Sequence, residues 1–122
     1  MTVRGAVVHG KGEARGIGYP TANVAHQTPG LVPGVYLARV LADTAVHQAL
    51  AVVGMWTDDA TGQPSLEVHL LDFTGELYGK TVTVSIGKKL RDLLTFTDEA
   101  TLVAQIKKDI QDARGEFNVL SS

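Results

Sequence analysis

Pro20-Thr21-Ala22-Asn23 is the segment whose residue types and spacing point most directly to chemistry. Proline disfavours the helical region for the residue before it, so Tyr19 is expected to be extended. In an extended chain Thr21 and Asn23 face one side about 6.6 Å apart along the strand, and Ala22 faces the other. A hydroxyl and an amide carbonyl are hard, neutral oxygen donors, suited to a Mg²⁺ that fills its remaining positions with water and phosphate oxygens. The same four residues also suit a turn whose Thr and Asn side chains bond their own backbone, and taken alone they favour that turn. Just upstream, Gly10, Gly12, Gly16 and Gly18 form a loop whose backbone N–H groups could converge on an anion, although a hairpin loop explains them equally well. Two near-matches to a phosphate-binding loop fail. Gly12 stands where the motif beginning at Gly5 needs a hydroxyl, and Gly75 is one residue too close to Gly79-Lys80-Thr81.

The second candidate is Glu67. Residues 65–73 alternate Leu66, Val68 and Leu70 against Glu67, His69 and Leu71, so Glu67 is a carboxylate inside an apolar alternation. Partial desolvation would raise its proton affinity and make it a better general base. An outward-facing strand glutamate paired to a lysine or arginine fits the residues as well. His69 shares its face, but the four histidines show no metal-ligand spacing and none is given a role. Arg91 could meet a phosphate or an aromatic ring, or be a solvated charge, and Phe96 could be a binding platform or a helix staple.

These residues need a scaffold, and most of the chain supplies strand patterns broken by glycine and proline. Val35 to Leu41 is apolar on both faces, as expected for a barrel wall, and 80–86 alternates Val82, Val84 and Ile86 with Thr81, Thr83 and Ser85. After Phe96 the period changes: Leu102, Ile106 and Ile110, with Val103 and Ala113 beside them, form a helical stripe. The helix is predicted over about 98–114, capped by Thr97 and ended at Gly115.

Composition narrows the function. A chain of 122 residues makes one domain, and 44% hydrophobic with 20% charged residues is ordinary for a globular fold. A net charge of -2 and 6% aromatics argue against an oligonucleotide-binding barrel, so no nucleic-acid partner is expected. With no cysteine, thiolate metal sites and cysteine nucleophiles are excluded. The apolar runs are too short for a signal peptide or a spanning helix, so a cytoplasmic protein without a membrane partner is expected.

In combination, Gly10 to Asn23 (GKGEARGIGYPTAN), Gly34-Val35-Tyr36, Leu66 to Gly79 (LEVHLLDFTGELYG), Leu90-Arg91 with Phe96, and Leu102 to Arg114 resemble the riboflavin kinase family. The resemblance implies an all-β fold, a closed six-stranded antiparallel Greek-key barrel over about 1–90 with a C-terminal helix packed on it. It implies transfer of the γ-phosphoryl group of ATP to the ribityl 5'-hydroxyl of riboflavin, giving FMN, with Mg²⁺ as cofactor. Glu67 matches the family's catalytic carboxylate, and Thr21 and Asn23 match the positions that hold metal and phosphates. Gly10, Arg15, Leu70, Asp72 and Tyr78 fall at nucleotide positions, and Arg91, Leu94 and Phe96 in the loop that closes on flavin. Riboflavin and ATP are the expected partners of a monomer. The chain begins with Met1 at the barrel, so the adenylyltransferase step of bifunctional relatives is not expected. It departs from the family in carrying Glu13 with only Arg15 in the glycine loop, Met55 to Pro64 after the second long strand, and Leu93-Leu94 in the flavin loop. These departures motivate an alternative, a flavin- and nucleotide-binding module with weak or no catalysis.

Overall fold

Period-two patterning resolves into six strands in a computed structural model that describes residues 1–8, 21–57 and 61–121. Gly10 and Arg15 lie outside the described residues. The strands are β1 (Thr2–Val8), β2 (Ala22–Ala25), β3 (Gly34–Ala42), β4 (Ala45–Thr57), β5 (Pro64–Leu70) and β6 (Thr81–Arg91), followed by the helix α1 (Glu99–Ser121). They close into an antiparallel barrel in the order β1-β2-β5-β4-β3-β6. The expected all-β barrel with one C-terminal helix is therefore present. Closure leaves none of the six described strands as an open edge.

Local chemistry explains how the strands are joined. β3 and β4 form a hairpin in which Ala42 pairs with Ala45, so the turn is Asp43-Thr44. Asp43 sits at φ 54°, the left-handed conformation that such two-residue turns require, and its carboxylate meets the Lys80 ammonium at 2.7 Å. At Gly5, a side chain would bring its Cβ to 1.8 Å from the Ala25 carbonyl oxygen, so glycine is what allows β1 to approach β2.

The barrel interior is filled. Val3, Val7, Val24, Val40, Ala51, Val53, Leu66, Val68, Val82 and Val84 form one buried cluster, most of it β-branched or small. A second cluster lies outside the wall, where Val35, Leu37 and Leu50 meet Leu71, Ala113 and Phe117. Phe117 is the helix's anchor, 2% exposed, with the Arg39 guanidinium 5.3 Å from its ring centre. β3 is thus buried on both faces at its start, as its sequence suggests. Leu41, which loses the helix's cover, is exposed.

Three boundaries differ from expectation. The strand expected over 65–73 ends at Leu70, because Asp72 takes a left-handed φ of 57°. The helix cap is Asp98, not Thr97: its Oδ1 accepts from the Thr101 N–H at 2.7 Å and its carbonyl from the Leu102 N–H at 3.3 Å. The helix also runs through Gly115 to Ser121 instead of stopping there. Burial of Phe117 two residues later outweighs the weak helix propensity of glycine.

A Cβ at Gly115 would meet nothing within 4 Å and its φ is helical, so Gly115→Ala should stabilise the protein by about 0.5–1 kcal/mol, read as a rise in thermal midpoint. A fall would show that the helix bends at this position.

Candidate functional site

Apolar side chains fill the barrel interior, so outward-facing groups on the wall are the ones open to a substrate, and strand register decides which of them meet. Asn23 on β2 is the direct cross-strand partner of Glu67 on β5, in an antiparallel pair. Val24, Leu66 and Val68 point inward, so Asn23 and Glu67 point out, side by side and half-buried. Directly opposed Cβ atoms in such a pair lie about 4.5–5.5 Å apart. Thr21 precedes Asn23 by two residues, on the same side of an extended chain. Asn23 and Glu67 are therefore brought together on the barrel's flank, with Thr21 just before the start of β2.

The Thr21 hydroxyl adds an observation that the sequence could not supply. Its Oγ1 is buried without a hydrogen-bond partner, the one such side-chain atom among the described residues. A buried unsatisfied hydroxyl costs free energy that folding alone does not recover, so its presence suits an oxygen waiting for a ligand. No cluster of three or more His, Asp and Glu that could hold a metal is found among the described residues. A cation at this wall would draw on Thr21 and Asn23, whose hard oxygens fit Mg²⁺ with phosphate and water completing its shell.

His26 stiffens this corner. It is buried; its Nε2 donates to the Pro64 carbonyl at 2.8 Å and its Nδ1 accepts from the Thr28 N–H at 3.1 Å. Both bonds are met by the neutral Nε2–H tautomer, which ties the end of β2 to the start of β5. His69 stands on β5 opposite Leu50, on the same face as Glu67.

A transverse row extends from the acid. Asn23, Glu67, Val52, Val35 and Arg91 are successive register partners across β2, β5, β4, β3 and β6. With about 5 Å between partners, the three steps from Glu67 to Arg91 span roughly 15 Å. The row is polar at Glu67, apolar at Val52 and Val35, and charged again at Arg91. Leu90, Leu93 and Ile110 pack beside its apolar part.

The remaining expected site residues are placed unevenly. Arg91 closes β6 but is committed to α1: Nε and Nη2 donate to the two Asp109 carboxylate oxygens at 2.8 and 2.7 Å. Leu94 is exposed and Phe96 half-buried in the segment 92–98 that joins β6 to α1. Leu70 points into the barrel core and is 7% exposed, so a nucleotide could meet only its backbone. Tyr78 is exposed, with its N–H donating to Glu76 Oε1 at 2.8 Å.

Asp72 gives both carboxylate oxygens to Arg114, at 2.6 and 2.8 Å. That guanidinium holds the Asp72 carboxyl below its ordinary value. The pair ties the turn after β5 to the helix, and the Asp72 side chain stays exposed.

Sequence reasoning missed Val52, Asp109 and Arg114. Asp109 did leave a signal, since it lies on the helix's apolar stripe three residues after Ile106 and four before Ala113. Val52 left none, because its neighbour Glu67 is set by strand pairing.

A family model for riboflavin kinase, the flavokinase domain, matches residues 1–117. The chain belongs to the riboflavin kinase family. The bifunctional riboflavin kinase/FMN adenylyltransferase of Listeria monocytogenes is 36% identical over 121 residues, covering 95% of this chain and 38% of that enzyme. The RNA-binding riboflavin kinase RibR of Bacillus subtilis is 34% identical over 119 residues, covering 97% of this chain and 52% of that protein. A crystal structure described as a macrolide-efflux protein from Streptococcus pneumoniae superposes with a TM-score of 0.82 at 36% identity, over 93% of this chain and 38% of that one. The chain thus spans well under two thirds of these relatives. The riboflavin kinase barrel and its C-terminal helix are what they share with it.

Two outcomes test this description of the wall. Thr21→Val removes the orphan hydroxyl while keeping its shape, and should stabilise the ligand-free protein by about 1 kcal/mol in denaturant unfolding. Loss of stability would mean that the hydroxyl is satisfied. For Asp72, the depressed carboxyl adds stability above the ordinary pKa of 3.8 and loses it as pH falls through the lower folded value. Asp72→Asn should therefore melt below wild type at pH 7, with the gap closing as pH falls below 3.8 and through the lower folded value; a gap independent of pH would refute the pairing.

Proposed function

We propose that this chain is a riboflavin kinase in its own right, transferring the γ-phosphoryl group of ATP to the ribityl 5'-hydroxyl of riboflavin to give FMN and ADP. The observation that carries the reading is the cross-strand pairing of Asn23 with Glu67, beside the orphan hydroxyl of Thr21. Phosphoryl transfer needs positioning and charge neutralisation more than covalent help, and one group to orient or deprotonate the attacking hydroxyl.

In this reading Thr21 and Asn23 hold the metal and the phosphates. Bound Mg²⁺ supplies the positive charge that offsets the phosphate oxygens. Glu67 accepts the proton of the 5'-hydroxyl at its carboxylate as the hydroxyl oxygen bonds to the γ-phosphorus. The bond from that phosphorus to the bridging oxygen breaks, and ADP carries the electron pair away. The row next to Glu67 suits the rest of the acceptor: a hydroxylated chain at the acid, then a flat apolar ring over Val52 under the 92–98 segment.

Glu67→Gln should lower kcat about 10²–10⁴-fold with the melting temperature held, measured by chromatography of flavin products after incubation with riboflavin, magnesium and ATP. Wild-type turnover in the variant would remove Glu67 from the mechanism. Riboflavin binding by the wild-type chain without FMN formation, with either ATP or CTP, would select the non-catalytic binding module.

A further inference from the structure

The row that starts at Asn23 and Glu67 ends on an arginine all three of whose nitrogens donate within the fold. Arg91 is the last residue of β6 and the register partner of Val35. Each of its three nitrogens donates: Nε to Asp109 Oδ1 at 2.8 Å, Nη2 to Asp109 Oδ2 at 2.7 Å, and Nη1 to the Asp92 carbonyl at 2.9 Å. Asp109 is itself enclosed, with 7% of its side chain exposed, and the Gln105 amide donates to its Oδ1 at 2.9 Å. Both carboxylate oxygens and the guanidinium fork are thus used within the fold.

We infer that Asp109, acting through Arg91, is a positioning residue that sets the geometry of the 92–98 segment and with it the affinity for the flavin substrate. The inference rests on the function proposed above and assigns Arg91 a different part from the direct flavin contact that family resemblance suggests. An apolar contact could hold α1 on the wall as firmly, but it tolerates sliding. A bidentate fork fixes both distance and angle.

The segment between β6 and α1 is clamped at both ends. At its start the Arg91 guanidinium holds the Asp92 carbonyl, and at its finish Asp98 caps the helix through the Thr101 N–H at 2.7 Å. Between the clamps Leu93 leans on the helix cluster, Leu94 is 54% exposed and Phe96 is half-buried. Leu93 packs in one cluster with Val35 and Val52, the part of the row that would receive a flat ring, and Leu94 and Phe96 follow it in the same segment. Where they stand depends on the relative placement of β6 and α1, which the Arg91–Asp109 pair sets.

Steady-state kinetics and riboflavin fluorescence titration on the full chain test this. Asp109→Asn should raise the KM and Kd for riboflavin about ten-fold or more, with kcat and the KM for ATP within about two-fold of wild type. Asp109→Glu, which keeps the charge, should recover most of the affinity, and Arg91→Lys should share the Asn phenotype. The Arg91→Lys/Asp109→Asn double variant should be no worse than the poorer single variant, since both act through one pair. The proposal is overturned if Arg91→Lys loses riboflavin while Asp109→Asn binds it as wild type, because Arg91 would then touch the flavin itself. It is also overturned if affinity for both substrates falls in step with the melting temperature. If the wild-type chain binds riboflavin without making FMN, the kinase reading fails and the fluorescence titration alone decides the part played by Asp109. Absence of riboflavin binding by the wild type sinks both.

Discussion

Antiparallel register between β2 and β5 is the constraint on which the candidate site depends. Side chains in a strand alternate between faces, so a slip of one residue would turn Asn23 inward while leaving Glu67 outside. The slip is resisted from within. Val24, Leu66 and Val68 belong to the interior cluster, and moving any of them to the outer wall would expose a buried apolar side chain. The His26 bridge from the end of β2 to the Pro64 carbonyl pins the same two strands through hydrogen bonds. Packing of an inert interior thereby places the reactive exterior.

The same logic gives the helix its part. α1 contributes little to the barrel interior; it covers Val35, Leu37 and Leu50 on the outside. It also carries two bidentate pairs of opposite sense, accepting from Arg91 at Asp109 and donating to Asp72 from Arg114. One secures the segment after β6 and the other the turn after β5. Asp72 is well exposed and surface ion pairs are worth little, whereas Asp109 is enclosed, where a fork fixes geometry more than it adds stability. The helix relates the two borders of the proposed site to a common rigid body.

Family membership and strand register are separate observations on this chain. The match to riboflavin kinases spans residues 1–117, whereas the Asn23–Glu67 register and the orphan Thr21 hydroxyl are properties of this fold considered alone. Gly10 and Arg15 of the glycine-rich loop lie outside the described residues.

Local rules were enough for much of this protein. Valine alternation over 80–86 predicts β6, the four-residue spacing of Leu102, Ile106 and Ile110 predicts α1, and Pro20 to Asn23 offers its oxygens through residue type alone. Local rules failed where distant packing intervened, as at Gly115, which reads as a helix stop until Phe117 is seen in its pocket. They gave no sign of the partner of Arg91, a carboxylate eighteen residues away on the helix. Sequence by itself determined which residues could do chemistry and which faces they share, because both follow from side-chain type and backbone period. Only the tertiary structure decided that Asn23 stands against Glu67, that Val52 is the next partner in the row, and that Arg91 pairs with Asp109. Those facts depend on strand pairing and helix docking, in which long-range burial fixes a register that no local pattern encodes.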